Sequence, residues 1–316
     1  MDMTGIRRFH IFRSLLALSF LIVSFGWTGC IKEDLDDCPQ NLTFGVRVLD
    51  AAGADITSDS VIKQGFMYIF NDSGHLLGQY DLSREWIVKR MRQEITYNAK
   101  SLQFVFYGNP TEAMVKSLSS VTTLDALKYR LQSSQGIAGE APDLFYGTLS
   151  HRVKYGDVEN VEHVTVDVRR ITAMVHVTVL GYRDWMKAQM DKDHLTFADG
   201  VHGLELSKTP DTHQGLAKLV GDFVNYRPEF KMDSNGNIAT DLFRIYPTLN
   251  SSPLAVNLFG GNHIYLTQSA SSDDNKQFIP VVGKTLNILI RLELDTSISV
   301  VVAVSDWNVV YQFVEY

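Results

Sequence analysis

The sequence predicts an all-β protein of two tandem β-sandwiches, with a small helical insertion in the first. Three observations predict it. Short stretches repeatedly alternate apolar and polar side chains, the period of strands with one buried and one wet face. The chain of 316 residues, even without its first 29, is longer than one hydrophobic core usually supports. Helix-start signals gather in one segment, between Asn109 and Leu131.

Leu42, Phe44, Val46 and Val48 alternate with Thr43, Gly45 and Arg47 and predict the first strand. Phe66 to Phe70 is a continuous apolar run, Asn71-Asp72-Ser73-Gly74 a turn, and His75 to Leu82 the returning partner. Leu102, Phe104 and Phe106, and later Val164, Val166 and Val168, mark further strands. In the insertion, Asn109 is an expected N-cap, Pro110 suits the first helical position and Glu112 closes a capping box. A second helix is expected from Thr122 and Asp125, with Leu124, Leu127 and Leu131 on one stripe.

The strand pattern restarts after Arg170, at Val175, Val177 and Val179. The chain is therefore divided into a leader at 1–29, a tether at 30–40, an N-terminal sandwich at 41–170 and a C-terminal sandwich at 171–316. A long polar stretch from Asp184 to Asn237 reads as loop, with a short helix near Trp185 to Met190. Strands return at Leu242 to Tyr246, Leu254 to Leu258 and His263 to Thr267. The clearest hairpin is Leu286 to Leu294, a turn at Asp295-Thr296-Ser297, and Ile298 to Val304; Val309 to Tyr316 is expected as a last strand.

At the N-terminus, Arg7, Arg8 and Arg13 flank an apolar run from Leu15 to Phe25, shorter than the ~20 residues of a permanent span. A basic flank, a short apolar core and the small residues Thr28 and Gly29 describe a secretory signal peptide. Trp27-Thr28-Gly29-Cys30 resembles a bacterial lipobox, with Trp27 where Leu is usual. In that motif the Cys thiol is lipidated and the new amine acylated, and several acyl chains on one residue anchor stably. Of the two cysteines, Cys30 is thus the modification site. Cys38 is left as a buried small apolar residue or a reactive thiol. Glu33, Asp34, Asp36 and Asp37 read as a solvated tether. Lys32, Glu33 and Asp34 also resemble the surface-export signal that follows the lipidated Cys in Bacteroidetes-type lipoproteins.

The formal net charge is −7 and grows more negative once the leader arginines are removed, which argues against nucleic acid. No Gly-rich phosphate loop, G-x-S-x-G elbow or H-E-x-x-H motif occurs, so no catalytic, cofactor or metal residue is assigned. His194, His202 and His213 lack ligand spacing and read as loop histidines. Asp233 to Asn237 echoes a calcium loop but has its Gly misplaced, so a tight turn is expected. Ser272 to Asn275 reads as a surface loop, and Trp307 as a strand-end residue covering the core or a ligand platform.

The stretch from Cys30 to Pro39, C-I-K-E-D-L-D-D-C-P, followed by an alternating strand, resembles the mature start of the fimbrial anchor lipoproteins of Bacteroidales, the FimB-like and minor-fimbrium anchor proteins. The length, the two β-rich halves, the helical insertion and the Trp307 strand are similar too. The resemblance implies transthyretin-like sandwiches and no catalysis. It also implies an outer-membrane lipoprotein, with lipid such as palmitate on Cys30, that holds a fimbria of fimbrillin-type shaft subunits at the cell surface and influences its length. The alternative is a surface lipoprotein that binds glycan. Coplanar exposed aromatics on one sheet would favour glycan, and an unpaired sheet edge would favour subunit contact.

Overall fold

The computed structural model describes residues 37–311 apart from 199, 216, 217 and 296. In the first half the chain forms β1 (Leu42–Val48), β2 (Gln64–Asn71), β3 (Leu76–Ser83), helix α1 (Arg84–Val88), β4 (Gln93–Ile95), β5 (Ser101–Gly108), helix α2 (Glu112–Leu118), β6 (Lys128–Arg130), β7 (Ser133–Ser134), β8 (Ile137–Ala138), β9 (Phe145–Arg152) and β10 (Glu162–Arg170). The second half adds β11 (Ala173–Leu180), helix α3 (Tyr182–Lys192), β12 (His202–Gln214), β13 (Lys218–Tyr226), β14 (Phe230–Met232), β15 (Ile238–Thr240), β16 (Phe243–Ile245), β17 (Ala255–Gly260), β18 (His263–Gln268), β19 (Lys284–Leu292) and β20 (Ile298–Asp306).

The first sheet has the order β3-β2-β5-β9-β10-β1-β4 and folds back on itself. Its bend lies between β9 and β10, which pair only at Tyr146–Arg169 and Phe145–Arg170. At that bend a Cβ on Gly147 would collide with the Asp167 carbonyl, so the close crossing needs glycine. Beyond the bend, β1 faces the other arm: the Phe44 ring lies 5.3 Å from Tyr80 of β3 and 5.9 Å from Phe104 of β5. Phe44, Val46, Met67, Ile69, Phe104, Phe106, Val166 and Val168 fill the space between. β1 runs parallel to β10 along its whole length, from Leu42–Glu162 to Val48–Val168.

The other face of β2 and β5 is apolar too. Phe66, Tyr68, Phe70, Val105 and Tyr107 belong to the core shared with the second half. They are covered by α2, by Val121 to Leu131 and by the end of β12. The second sandwich pairs a sheet β14-β15-β11-β19-β20, with β16 also on β11, and a sheet β18-β17-β12-β13-β8-β7, with β6 also on β12. Val175, Val177, Ile288 and Ile290 share a core with Leu204, Leu206, Val256, Leu258 and, from α3, Trp185, Met186 and Met190.

Several elements differ from the sequence expectations. Thr111, not Asn109, caps α2: its hydroxyl accepts from the Met114 N–H at 3.3 Å. Asn109 has φ +57° and ties loops together instead, accepting from Lys63 N and donating to Val61 O and Asp143 O. The expected second helix is only a short 3₁₀ turn, Leu124–Ala126, followed by strand β6. Leu127, Tyr129 and Leu131 are all buried, a spacing of two that belongs to a strand. The supposed loop from Asp184 to Asn237 contains β12 and β13. β12 is buried along nearly its whole length although it reads HGLELSKTPDTHQ. It carries bulges on either side of Thr209–Pro210, with Lys208 at φ +74°.

Four of those buried polar side chains are paired, while the Thr209 hydroxyl has no hydrogen-bond partner among the described residues. Asp211, fully buried, accepts from Arg130 Nε at 2.7 Å, and Glu205 accepts from Asn225 and Arg227, each at 3.0 Å. His202 Nδ1 lies 2.8 Å from the Tyr182 hydroxyl and His213 Nδ1 3.0 Å from that of Tyr107. A second polar tie joins the ends of β10 and β20. Arg170 donates to both carboxylate oxygens of Asp143, at 2.9 and 3.3 Å. Its guanidinium lies between the Phe145 ring, 4.6 Å away, and the Trp307 ring, 4.5 Å away. Arg170→Ala should remove this tie and leave Asp143 without its partner. A loss of about 2–3 kcal/mol is expected in urea denaturation, with Arg170→Lys intermediate because it keeps the charge but not the planar fork.

Candidate functional site

The family resemblance implies an attachment end and a contact surface. Cys30, Lys32, Glu33 and Asp34, with the rest of the leader, lie outside the described residues. The described chain begins beside them. Cys38 is half-buried, and its carbonyl accepts from Gly156 N at 3.0 Å. Pro39 pairs with Tyr155, and Gln40 donates to Lys154 O at 2.8 Å through its backbone and to Asn160 O at 2.8 Å through its side chain. The tether is thus bound to the 153–160 loop before it enters β1.

Leu42 to Leu49 and Val309 to Tyr316 are the two segments the sequence offers as candidates for strand addition, and the first is not an open edge. β1 is bonded to β10 on one side and to β4 on the other, the latter through Leu42, Thr43 and Phe44. Past β4, Val48 N donates to Thr57 Oγ1 and Val48 O accepts from Ile56 N, each at 2.9 Å. Val309 to Tyr311 carry no strand structure, and 312–316 lie outside the described residues.

A free edge lies in the strand before them. Among the described residues β20 pairs with β19 alone. Ser272 occupies the outward backbone of Val300, donating to its carbonyl and accepting from its N–H, both at 2.9 Å. Outward groups alternate along an antiparallel strand, so Val302 and Val304 present theirs next. Among the described residues no strand covers them. Val301, Val304, Val309, Val310 and Tyr311 are each 40–50 % exposed. A long apolar edge of this kind is a template for another strand. The aromatics more than a third exposed, Tyr155, Phe223 and Tyr311, lie on separate elements and make no common platform among the described residues.

The remaining sequence candidates are structural. His202 and His213 are buried in β12, while His194 is exposed in the turn after α3. No group of metal-binding side chains occurs among the described residues. Asp233 closes a tight turn, accepting from the backbone of Asn235 and Asn237 at 2.9 Å. Ser271 and Asp274 bond within the 271–276 loop. Trp307 is half-buried against Arg170.

His213 also sets a pH dependence. Burial pushes its imidazole down to about 4, against about 6.5 when unfolded. Above the unfolded value both states are neutral. As pH falls from there towards the folded value, the unfolded chain takes up a proton that the folded chain refuses. Stability should therefore drop by up to about 3 kcal/mol. His213→Gln should flatten that part of a stability–pH curve measured by urea denaturation; an unchanged wild-type slope in the variant would assign it to other groups.

Comparison with known proteins fits this arrangement. The family model described as fimbrillin-A associated anchor proteins Mfa1 and Mfa2 matches residues 35–313. The chain is 35 % identical, over 303 residues, to the major fimbrium anchoring subunit FimB of Porphyromonas gingivalis strain W83, covering 96 % of this chain and 98 % of the relative. FimB of a second strain of that species, ATCC 33277, matches with the same identity and coverage. Among solved structures, the fimbrial anchor protein Mfa2 from Porphyromonas gingivalis superposes with a TM-score of 0.59 at 14 % identity, over 85 % of this chain and 98 % of that one. The family model over residues 35–313 and the identity along almost the whole chain place it in the family of fimbrillin-A associated anchor proteins, whose solved member shares its β-rich fold.

Proposed function

We propose that the chain is an outer-membrane lipoprotein, held through acyl chains on Cys30 and displayed on the cell surface, that keeps a fimbrial shaft attached to the cell and influences its length. The observation that carries this reading is the leader pattern ending at Cys30, in a chain matched almost end to end by fimbrial anchoring subunits. Lys32, Glu33 and Asp34 are the proposed export signal, and the division of the chain at residue 170 belongs to the same reading. Cys30→Ala should move the protein from the membrane pellet to the soluble fraction. A variant that still pellets with outer membranes after a high-salt wash would sink the lipid assignment.

The shaft subunit is the proposed partner, and the edge of β20 is its proposed contact. An added strand would gain main-chain hydrogen bonds at Val302 and Val304 and bury the apolar side chains beside them. Val304→Pro removes an outward donor without touching the ladder to β19. Cells with this variant should display the folded anchor yet shed shafts into the medium. Shafts retained at wild-type level would move the contact to another edge.

A further inference from the structure

Tension enters an anchor at the end bound to the membrane. In this fold that end runs into β1, whose first residue, Leu42, is separated from the bound segment Cys38 to Gln40 by Asn41 alone. The strand beside it, β10, is the one that leaves the first sandwich: after Arg170 the chain passes through Ile171 and Thr172 into β11. The two strands are parallel, in register over seven consecutive pairs. Backbone bonds extend the ladder at both ends, from Glu162 N to Asn41 O and from Leu49 N to Val168 O, each at 2.9 Å.

This direction decides the mechanics. The tether pulls β1 towards its N-terminal end. The second sandwich pulls β10 towards its C-terminal end. For parallel neighbours these forces are opposed and lie along the strands, so all the ladder's bonds are strained together. Had the strands been loaded at the same end, the ladder would open one pair at a time. Forced unfolding is governed by the barrier along the pulling direction, so bonds that must break together raise it most.

Side chains reinforce the ladder across its face. Arg47 donates from Nε and Nη2 to both carboxylate oxygens of Asp167, each at 2.7 Å. Arg92 passes over Gly45, where there is no side chain, and donates to Val164 O at 2.9 Å and to Thr165 Oγ1 at 3.0 Å. At the far end Arg170 is fixed between Phe145 and Trp307, so tension in the second sandwich reaches β10 through that clamp as well as along the chain.

We infer that the parallel β1–β10 ladder is a shear clamp that gives the anchor its resistance to tension along the axis from membrane to shaft. The inference rests on the proposed attachment at the N-terminal end, but its mechanics are testable without the membrane. In the full mature chain carrying Cys30→Ser, Cys38 is the remaining thiol and accepts a pulling handle. A second handle is placed at either end of β10, through Arg169→Cys at its exposed C-terminal end or Val161→Cys just before its N-terminal end. The first pair loads the ladder in shear and the second peels it, on the same fold. At equal loading rate the Cys38–Arg169→Cys pair should rupture at severalfold higher force than the Cys38–Val161→Cys pair. Equal forces, or a lower force in shear, would overturn the clamp. Loss of membrane attachment in the fractionation test, or its persistence without Cys30, leaves this comparison unaffected, so the two ideas fail separately.

Discussion

β2 and β5 are apolar on both faces, and most of the architecture answers that constraint. Met67, Ile69, Phe104 and Phe106 face β1 and β10, while Phe66, Tyr68, Phe70, Val105 and Tyr107 face away from them. A sheet with one dry face can end a domain; a sheet with two must be covered twice. Folding the first sheet at Gly147 covers one side. The other is covered by α2, by the β6 segment and by β12. The two sandwiches are therefore joined through a common core rather than by a linker.

Covering that second face with polar strand residues has its own cost, met in part by pairing and ring contact. The Tyr107 and Tyr129 rings stack at 3.8 Å, and His213 stands edge-on to Tyr107. Burial raises the Tyr107 and Tyr129 hydroxyls well above the usual tyrosine range, so they remain protonated. Tyr146 donates to Gly215 O at 2.7 Å. Each such bond contributes only about 1 kcal/mol net, but a missing partner would leave a buried polar group unsatisfied. The junction is thus fixed in position more by the need for satisfaction than by the strength of any one contact.

The strands that bury one face and wet the other were legible in the sequence. β1, β10 and β20 alternate, and β19, though buried on both faces from Thr285 to Ile290, carries leucine and isoleucine at every second position. β12 and β13 were not, because His, Glu, Ser, Thr and Asp in β12 are buried against partners distant in sequence, such as Arg130 and Tyr107. Leu124, Leu127 and Leu131 imitate a helical stripe, whereas Leu127, Tyr129 and Leu131 have the period of two that the strand follows. The proposed attachment residues were readable because a leader and its Cys are recognised by chemistry along the chain. The free edge was not, because whether a strand lacks a neighbour depends on the whole topology. The sequence pointed past it, to Val309–Tyr316.

The crossing of β6 to β8 into the second sandwich has a consequence for how the chain matures. Lys128 to Arg130 pair with Thr212 to Gln214, and Ile137 and Ala138 with Asn225 and Tyr226. The first half cannot complete its outer face until those later strands are present. Until then Tyr68, Phe70, Val105 and Tyr107 have the cover of α2 and the β6 segment but lack that of β12. Such a chain closes late, through contacts between residues far apart in sequence, which slows folding and prolongs the exposure of sticky surface. The junction between the two sandwiches is thus among the last parts of the chain to become ordered, and its aromatic cluster is where a folding chain is most exposed to association with another.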